Sequence, residues 1–336
     1  MSGTRARQSE LISSERLREL SSGGWLLRFI EQYPRVRELQ AGAEDECVRG
    51  AIDVHVHADP CSLIPRNQDF IQVAIDAARV GMRAVVRKDH HYSTVGEAYA
   101  VQRHIDCLAE AGALSHRIEV YGGIPITFSL DPKQIEQALR FPTFKMIWLN
   151  PVYGDRLVAG GKVRQELDRI IELARDHSIG INLGAPSHSK KYGEVDDYEG
   201  LVPVVDRIAI LGATAVLDHP LSSLTVEQTA DLVQDGIYAG LFCYPSLPSL
   251  IKAPVVDPAR TLELLQRVGP GRCIIASDVG MLLEPTALEA LRLMIRFLMV
   301  LGLSPREIDP MLKSNPARLI GLDRAGSAPA DASTQR

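Results

Sequence analysis

Eight short apolar runs recur along the chain at intervals of 25–36 residues, and one amphipathic segment lies in each interval. The runs are AIDVHVH, RAVVRK, RIEVYGGIPI, FKMIWLN, IGINLGA, TAVLDH, IYAGLFCY and RCIIASD. Most are rich in Ile and Val and are bounded by Gly, Pro, Asp or Asn, as strands buried on both faces of a parallel sheet should be. Between them, segments such as DFIQVAIDAARVG and KVRQELDRIIELARDH carry apolar residues at i, i+3 and i+4. Several start after Asp, Ser or Thr and stop at Gly, which are helix-end signals. Strand ends are expected near His57, Lys88, Ile124, Asn150, Gly184, His219, Tyr244 and Asp278. Eight such βα units predict an α/β fold, a (β/α)8 barrel of TIM type. A doubly wound open sheet is the competing architecture; the count of eight and the lack of a G-x-G-x-x-G turn after the first run favour the barrel.

The rest of the chain frames this unit. Residues 1–50 read as a helical N-terminal extension, 51–322 as the barrel domain and 323–336 as a disordered tail of small polar residues. The 17-residue run ALEALRLMIRFLMVLGL is interrupted by Glu289, Arg292 and Arg296, so it reads as a packed helix and not a membrane span. The N-terminus has no apolar core of signal-peptide type. Five scattered cysteines, an odd number without a C-x-x-C pair, argue against a disulfide framework and fit a reducing, cytoplasmic setting. A formal net charge of -5 gives no reason to expect nucleic acid or an anionic membrane surface as partner. A small-molecule substrate is expected instead, and the N-terminal extension leaves room for a homo-oligomer.

A barrel of this kind carries its chemistry at the C-terminal ends of its strands. Those ends are unusually polar here: His55 and His57 on the first, Lys88 through His91 on the second, Lys145 within the fourth, His188 after the fifth, Asp218 and His219 at the sixth, and Asp278 at the eighth. Residues two apart on a strand share a face, so His55 and His57 point the same way. Imidazole and carboxylate groups from several strands suit a divalent metal: zinc first, with manganese or iron as alternatives.

The H-x-H of DVHVH, the lysine of FKMIWLNP, histidines after the fifth and sixth strands, and the aspartate of IIASDVG together resemble the amidohydrolase superfamily. KSNPARLIGL is similar to the closing helix of such enzymes, and DVHVHADP with RKDHHYST resembles an uncharacterised amidohydrolase-like subfamily. The resemblance spans residues 51–322. It implies one metal on His55, His57 and Asp278. It also implies a second ion, bridged by a carboxylated Lys145 and held by His219 and a strand-five histidine. His188 stands several residues beyond the strand end where that histidine is expected, so one ion or two remain open. Asp278 would act as general base towards metal-activated water, which would attack a C–N or C–O bond of an amide, cyclic amide or lactone.

Each residue also has an ordinary reading. His55 and His57 alone could be hydrogen-bonded core histidines, and Lys145 could snorkel from the strand's start out of the barrel bottom. Lys88 could pair with Asp89 or contact a substrate anion. His90 or His91 could be a ligand, a substrate contact or neither, and Asp218 could orient an imidazole or cap a loop. Arg66, Arg87, Tyr153 and Tyr244 read as rim residues. Two rival functions stay open: a metal-dependent lyase (decarboxylase or hydratase) on the same barrel, and a metal-free binding barrel. A histidine-rich phosphoesterase is a more distant third.

Overall fold

The computed structural model describes residues 31, 33–126, 129–149, 157–159, 162–184, 198–250 and 252–323. Almost all of the expected N-terminal helix, the tail from residue 324, Asn150, Tyr153 and His188 lie outside these described residues.

Eight strands run in sequence order around one parallel sheet. They are β1 (Ile52–His57), β2 (Ala84–Lys88), β3 (Glu119–Ile126), β4 (Phe144–Leu149), β5 (Gly180–Leu183), β6 (Ala215–Leu217), β7 (Ile237–Phe242) and β8 (Cys273–Ala276). Each ends within two residues of the position expected from the sequence. A helix follows every strand: α1 (Phe70–Arg79), α2 (Val95–Glu110), α3 (Lys133–Ala138), α4 (Gln165–Asp176), α5 (Tyr198–Ile210), α6 (Val226–Leu232), α7 (Pro258–Val268) and α8 (Ala287–Val300). This is the (β/α)8 barrel.

Side-chain parity sorts the core into two layers. Ile52, Val54, Ala84, Val86, Met146, Trp148, Val216, Tyr238, Phe242, Ile274 and Ala276 pack together inside the barrel. Their sequence neighbours, among them Val85, Ile147, Leu217 and Ile275, pack outward under the helices. Gly123 leaves room for this interior, because a Cβ there would lie 2.3 Å from the Trp148 ring. Ala317, Leu319, Ile320 and Leu322, in or just after the short helix Ser314–Leu319, join the inner cluster. They close the N-terminal end of the barrel, and Asn315 anchors this plug by donating to the carbonyls of Pro270 and Cys273.

The alternation along β1 is broken. Asp53 pairs with Val85 and Val56 with Arg87, so three steps on β1 match two on β2. The extra residue is a bulge, which resets the facing of everything beyond it. His55 and His57 therefore face the interior while Asp53, two residues before His55, does not share their face. Asp53 instead lines a small void with Val73, Ala77 and Leu291 between β1 and helices α1 and α8. There its Oδ1 accepts from the backbone N–H of His55 and of Ser277, each at 3.1 Å. With Asp278 N–H donating to the His55 carbonyl at 2.9 Å, these bonds stitch β8 to β1 and close the ring.

Helix α8 resolves the most apolar run of the sequence. Thr286 and Glu289 form its capping box, and Ala290, Leu291, Met294, Ile295 and Leu298 are buried. Arg292 and Arg296 turn outward to pair with Asp45 and Glu44. Among the described residues no helix is long and apolar enough to cross a membrane. All five cysteines are free thiols.

Candidate metal centre

Three strand ends deliver the central cluster. From β1, His55 and His57 each place Nε2 at 3.2 Å from Oδ1 of Asp278, which follows β8. From beyond β6, Nε2 of His219 lies 3.7 Å from the other oxygen, Oδ2 of Asp278. Asp218 completes the group, its Oδ1 at 3.8 Å from both His219 Nε2 and His55 Nδ1. All five residues are buried.

Local backbone geometry makes these positions. His219 and Asp278 are non-glycine residues with left-handed φ, +32° and +48°. That conformation is disfavoured for side chains of this size and recurs where the surroundings hold a functional group in place. In each case it turns the residue after a strand end back over the mouth. Gly280, with φ +126°, then carries the chain so close to β1 that a Cβ would meet the His57 carbonyl at 2.8 Å. Second contacts fix the rings. Ser222 spends its one hydroxyl proton on the His219 carbonyl at 2.8 Å, so at 3.0 Å it accepts from His219 Nδ1. Nε2 of His219 is therefore the ring nitrogen left facing Asp278.

The protonation states agree. Burial pushes His57 well below the usual imidazole range against the opposing contact with Asp278, and His90, Arg66 and Lys88 push it further. His90 falls to about 2, chiefly by burial and then by Lys88 and Arg66. Burial opposes ionisation of Asp278, yet the surrounding imidazoles of His55, His57 and His219 hold it well below the carboxylate range. Asp218 is lowered likewise, against burial, by His219, His55 and Lys88. Neutral imidazole at His57 beside ionised carboxylate is the form that ligates metal.

Among the described residues two groups satisfy the ligand geometry, His55–His57–Asp278 and Asp218–His219–Asp278, with Asp278 common to both. The first passes a stricter test. Donors held at about 2.0–2.2 Å by one cation stand roughly 3.0–3.5 Å apart. Both Nε2 to Oδ1 separations fall in that range at 3.2 Å. Moreover, His55 Nε2 is buried without a hydrogen-bond partner despite its closeness to Asp278. A buried ring nitrogen left without a partner is costly unless something else takes it. The donor set fits a divalent cation.

The remaining expected residues divide. Lys88 is buried at the end of β2, in register with His57, and His90 stacks on the His57 ring with centroids 4.8 Å apart and planes 12° apart. Lys145 is not brought to the cluster. It lies in a bulge at the start of β4, where Phe144 pairs with Gly122 and Met146 with Gly123. It is only half-buried, and Glu119 at the start of β3 is the charge acting on it. The inward place near the β4 end belongs to Trp148, edge-on to His55 at 6.1 Å. The expected bridging lysine is therefore replaced by an indole, and Lys145 stands where a barrel-bottom snorkel would. On β5 the inward position is Asn182, whose amide lies 3.5 Å from His55 Nδ1.

Sequence reasoning passed over Asn182, Trp148 and Phe242, although strand parity marks all three as inward. It also placed Arg66 and Arg87 at the rim, and both are buried. Arg87 faces out of the barrel, donates to the carbonyls of Lys88 and Pro60 and lies 3.6 Å from Glu97. Arg66 reaches into the mouth, with its guanidinium 3.4 Å from His57 Nδ1. Asp89 ties the loops together by accepting from Ser62, His91 and Tyr92.

Comparisons with known proteins bear on the fold. A family model described as "Family of unknown function (DUF6282)" matches residues 50–156. No curated protein sequence matches the chain. Among solved structures, a probable 2-pyrone-4,6-dicarboxylic acid hydrolase from Acinetobacter baumannii, with citric acid bound, is 12% identical; the match covers 81% of this chain and 99% of that one at a TM-score of 0.52. N-acetyl-D-glucosamine-6-phosphate deacetylase from Mycobacterium smegmatis is 15% identical over 81% of this chain and 76% of its own, at 0.50. A dihydroxybenzoic acid decarboxylase from Polaromonas sp. JS666, with manganese and an inhibitor bound, is 13% identical over 82% and 98%, at 0.47. The chain thus shares its barrel fold with the hydrolase and the deacetylase. At these identities the likeness is one of fold.

Proposed function

We propose that this protein is a metal-dependent hydrolase of the amidohydrolase type, cleaving a C–N or C–O bond in an amide, cyclic amide or lactone of a small molecule. The observation that carries the proposal is the clasp of His55, His57 and Asp278, three buried ligand atoms spaced for one cation at the C-terminal mouth of the barrel. Zinc fits the mixed imidazole and carboxylate set best. His55, His57 and Asp278 would hold it, with His219 and Asp218 beside them. When bound, such an ion polarises a carbonyl and acidifies water.

The chain's own groups supply the rest. Asp278 has one oxygen facing the two β1 histidines and the other facing His219. The oxygen on the His219 side is placed to accept a proton from the attacking water and return it to the leaving nitrogen or oxygen. His219, held by Ser222, orients the scissile group. Asn182 and Asp218 brace the far side of His55. The stacked His90 ring shields His57 from solvent, and Lys88 contacts substrate beside it.

A lyase is the second reading, favoured by the cations Arg66 and Lys88 at the mouth, which suit a carboxylate-bearing substrate. Turnover in ¹⁸O-labelled water separates the two. A hydrolase places one label in the cleaved product and loses activity on chelation. Carbon dioxide release, or addition of water without cleavage, would establish the lyase instead.

A further inference from the structure

Two buried cations stand at the mouth, and neither closes a salt bridge with a described carboxylate, although the Lys88 charge is felt by Asp218. Arg66 and Lys88 are 7% and 4% exposed, and among the described residues neither takes part in an ion pair. An unpaired buried charge is expensive, so such groups are ordinarily matched by a counter-charge. Lys88 stands in register with His57 at the end of β2, and the Arg66 guanidinium lies 3.4 Å from His57 Nδ1, so both charges flank His57.

The partners Arg66 does have are weak. Its Nε donates to the Cys61 sulfur at 3.2 Å, and its terminal nitrogen lies 3.4 Å from His57 Nδ1. The second contact is incompatible with metal ligation at His57. A neutral imidazole that commits Nε2 to a cation keeps its proton on Nδ1. Nδ1–H and a guanidinium are then both donors, and the guanidinium must find another acceptor. Arg66 is held in place by an isolated bridge between its backbone and Met281, which joins the β1 and β8 loops, so its fork stays at the mouth.

Around this charged floor the rim is apolar. Leu63, Ile64, Tyr92, Leu250, Leu282 and Leu283 are exposed large hydrophobics. All lie on loops that follow β1, β2, β7 and β8, and so on the C-terminal face. Exposed apolar side chains on the same face as a few convergent polar groups are the composition of a small-molecule site.

We propose that Arg66 and Lys88 form an anion subsite, and that the substrate is an organic anion with an apolar body: a carboxylate or phosphate gripped by the two cations, with the remainder against the leucine rim. This deepens the hydrolase reading and rests on it for the position of the reacting bond.

The full-length, zinc-reconstituted protein is titrated calorimetrically with benzoate, phenyl phosphate and the neutral benzamide, with metal content measured on each sample. At least one anion binds ten-fold or more tightly than benzamide, and the better anion identifies the group. Arg66→Met and Lys88→Met each weaken that anion ten-fold or more at unchanged metal content, and Arg66→Lys recovers part of the loss. Lys88 lies on a different element from Arg66, so misfolding of one variant leaves the other to decide. Benzamide binding as well as the anions, no anion binding, or wild-type anion affinity in both methionine variants overturns the proposal. Low zinc content with cation-dependent anion binding intact would reject the hydrolase reading and leave the subsite standing.

Discussion

Asp53 accepts the backbone N–H of Ser277 at 3.1 Å, across the one seam where the first and last strands of the barrel meet. The same oxygen accepts from the backbone of His55, so a single carboxylate sets the separation between His55 and Asp278. Replacing Asp53 by Ala leaves two buried N–H groups without an acceptor, at about 1–3 kcal/mol each. Burial also pushes the Asp53 carboxyl up to about 6, so its charge is a liability at neutral pH. Asp53→Asn keeps an acceptor oxygen and removes the charge. Thermal unfolding at pH 8 should therefore show Asp53→Ala well below the wild type and Asp53→Asn close to it or above.

Gly280 is a second constraint on the same seam. A side chain there meets the His57 carbonyl and must adopt φ +126°. Gly280→Ala should cost roughly 1–3 kcal/mol of stability by backbone strain. It should also weaken metal affinity, because the shift falls on His57. Unfolding in urea and a metal competition titration measure the two effects.

Asp89 gives the protein an acid limit. Burial alone would raise its carboxyl, but bonds from Ser62, His91 and Tyr92 hold it down at about 2. A folded-state value below the unfolded one contributes stability that is present above pH 4 and lost as pH falls towards 2. The contribution is about 2 kcal/mol. Unfolding midpoints between pH 5 and 2.5 should fall less steeply in Asp89→Asn than in the wild type.

Lys145 makes a negative prediction. It lies at the bulged start of β4, away from the cluster, so Lys145→Ala should retain metal and should not depend on bicarbonate. Trp148→Ala, on the inward face of the same strand, should cost about 3–5 kcal/mol by cavity formation.

The barrel was legible because eight buried parallel strands and their helices write a period into the sequence that composition alone cannot. His55, His57, His219 and Asp278 were legible as polar residues where apolar strands end. Lys145 misled because residue type does not report facing: the β4 bulge at its own position decides that, and a bulge leaves no mark in the hydrophobic pattern. For the same reason Asp53, although it stands two residues before His55, lies in the outer layer, because of the extra residue in β1. Arg66 was hidden in a loop, where burial follows from tertiary contacts with His57 and Met281 that local sequence does not encode.

The central claim is that His55, His57 and Asp278 bind a divalent cation. Elemental analysis of protein purified without chelator and reconstituted with zinc tests it most directly, beside His55→Ala, His57→Ala and Asp278→Ala prepared in parallel. The account predicts at least one ion per wild-type chain and a loss of most of it in each variant, with Lys145→Ala unchanged. Zinc far below one equivalent in the wild type, or equal content in wild type and His55→Ala, would contradict it.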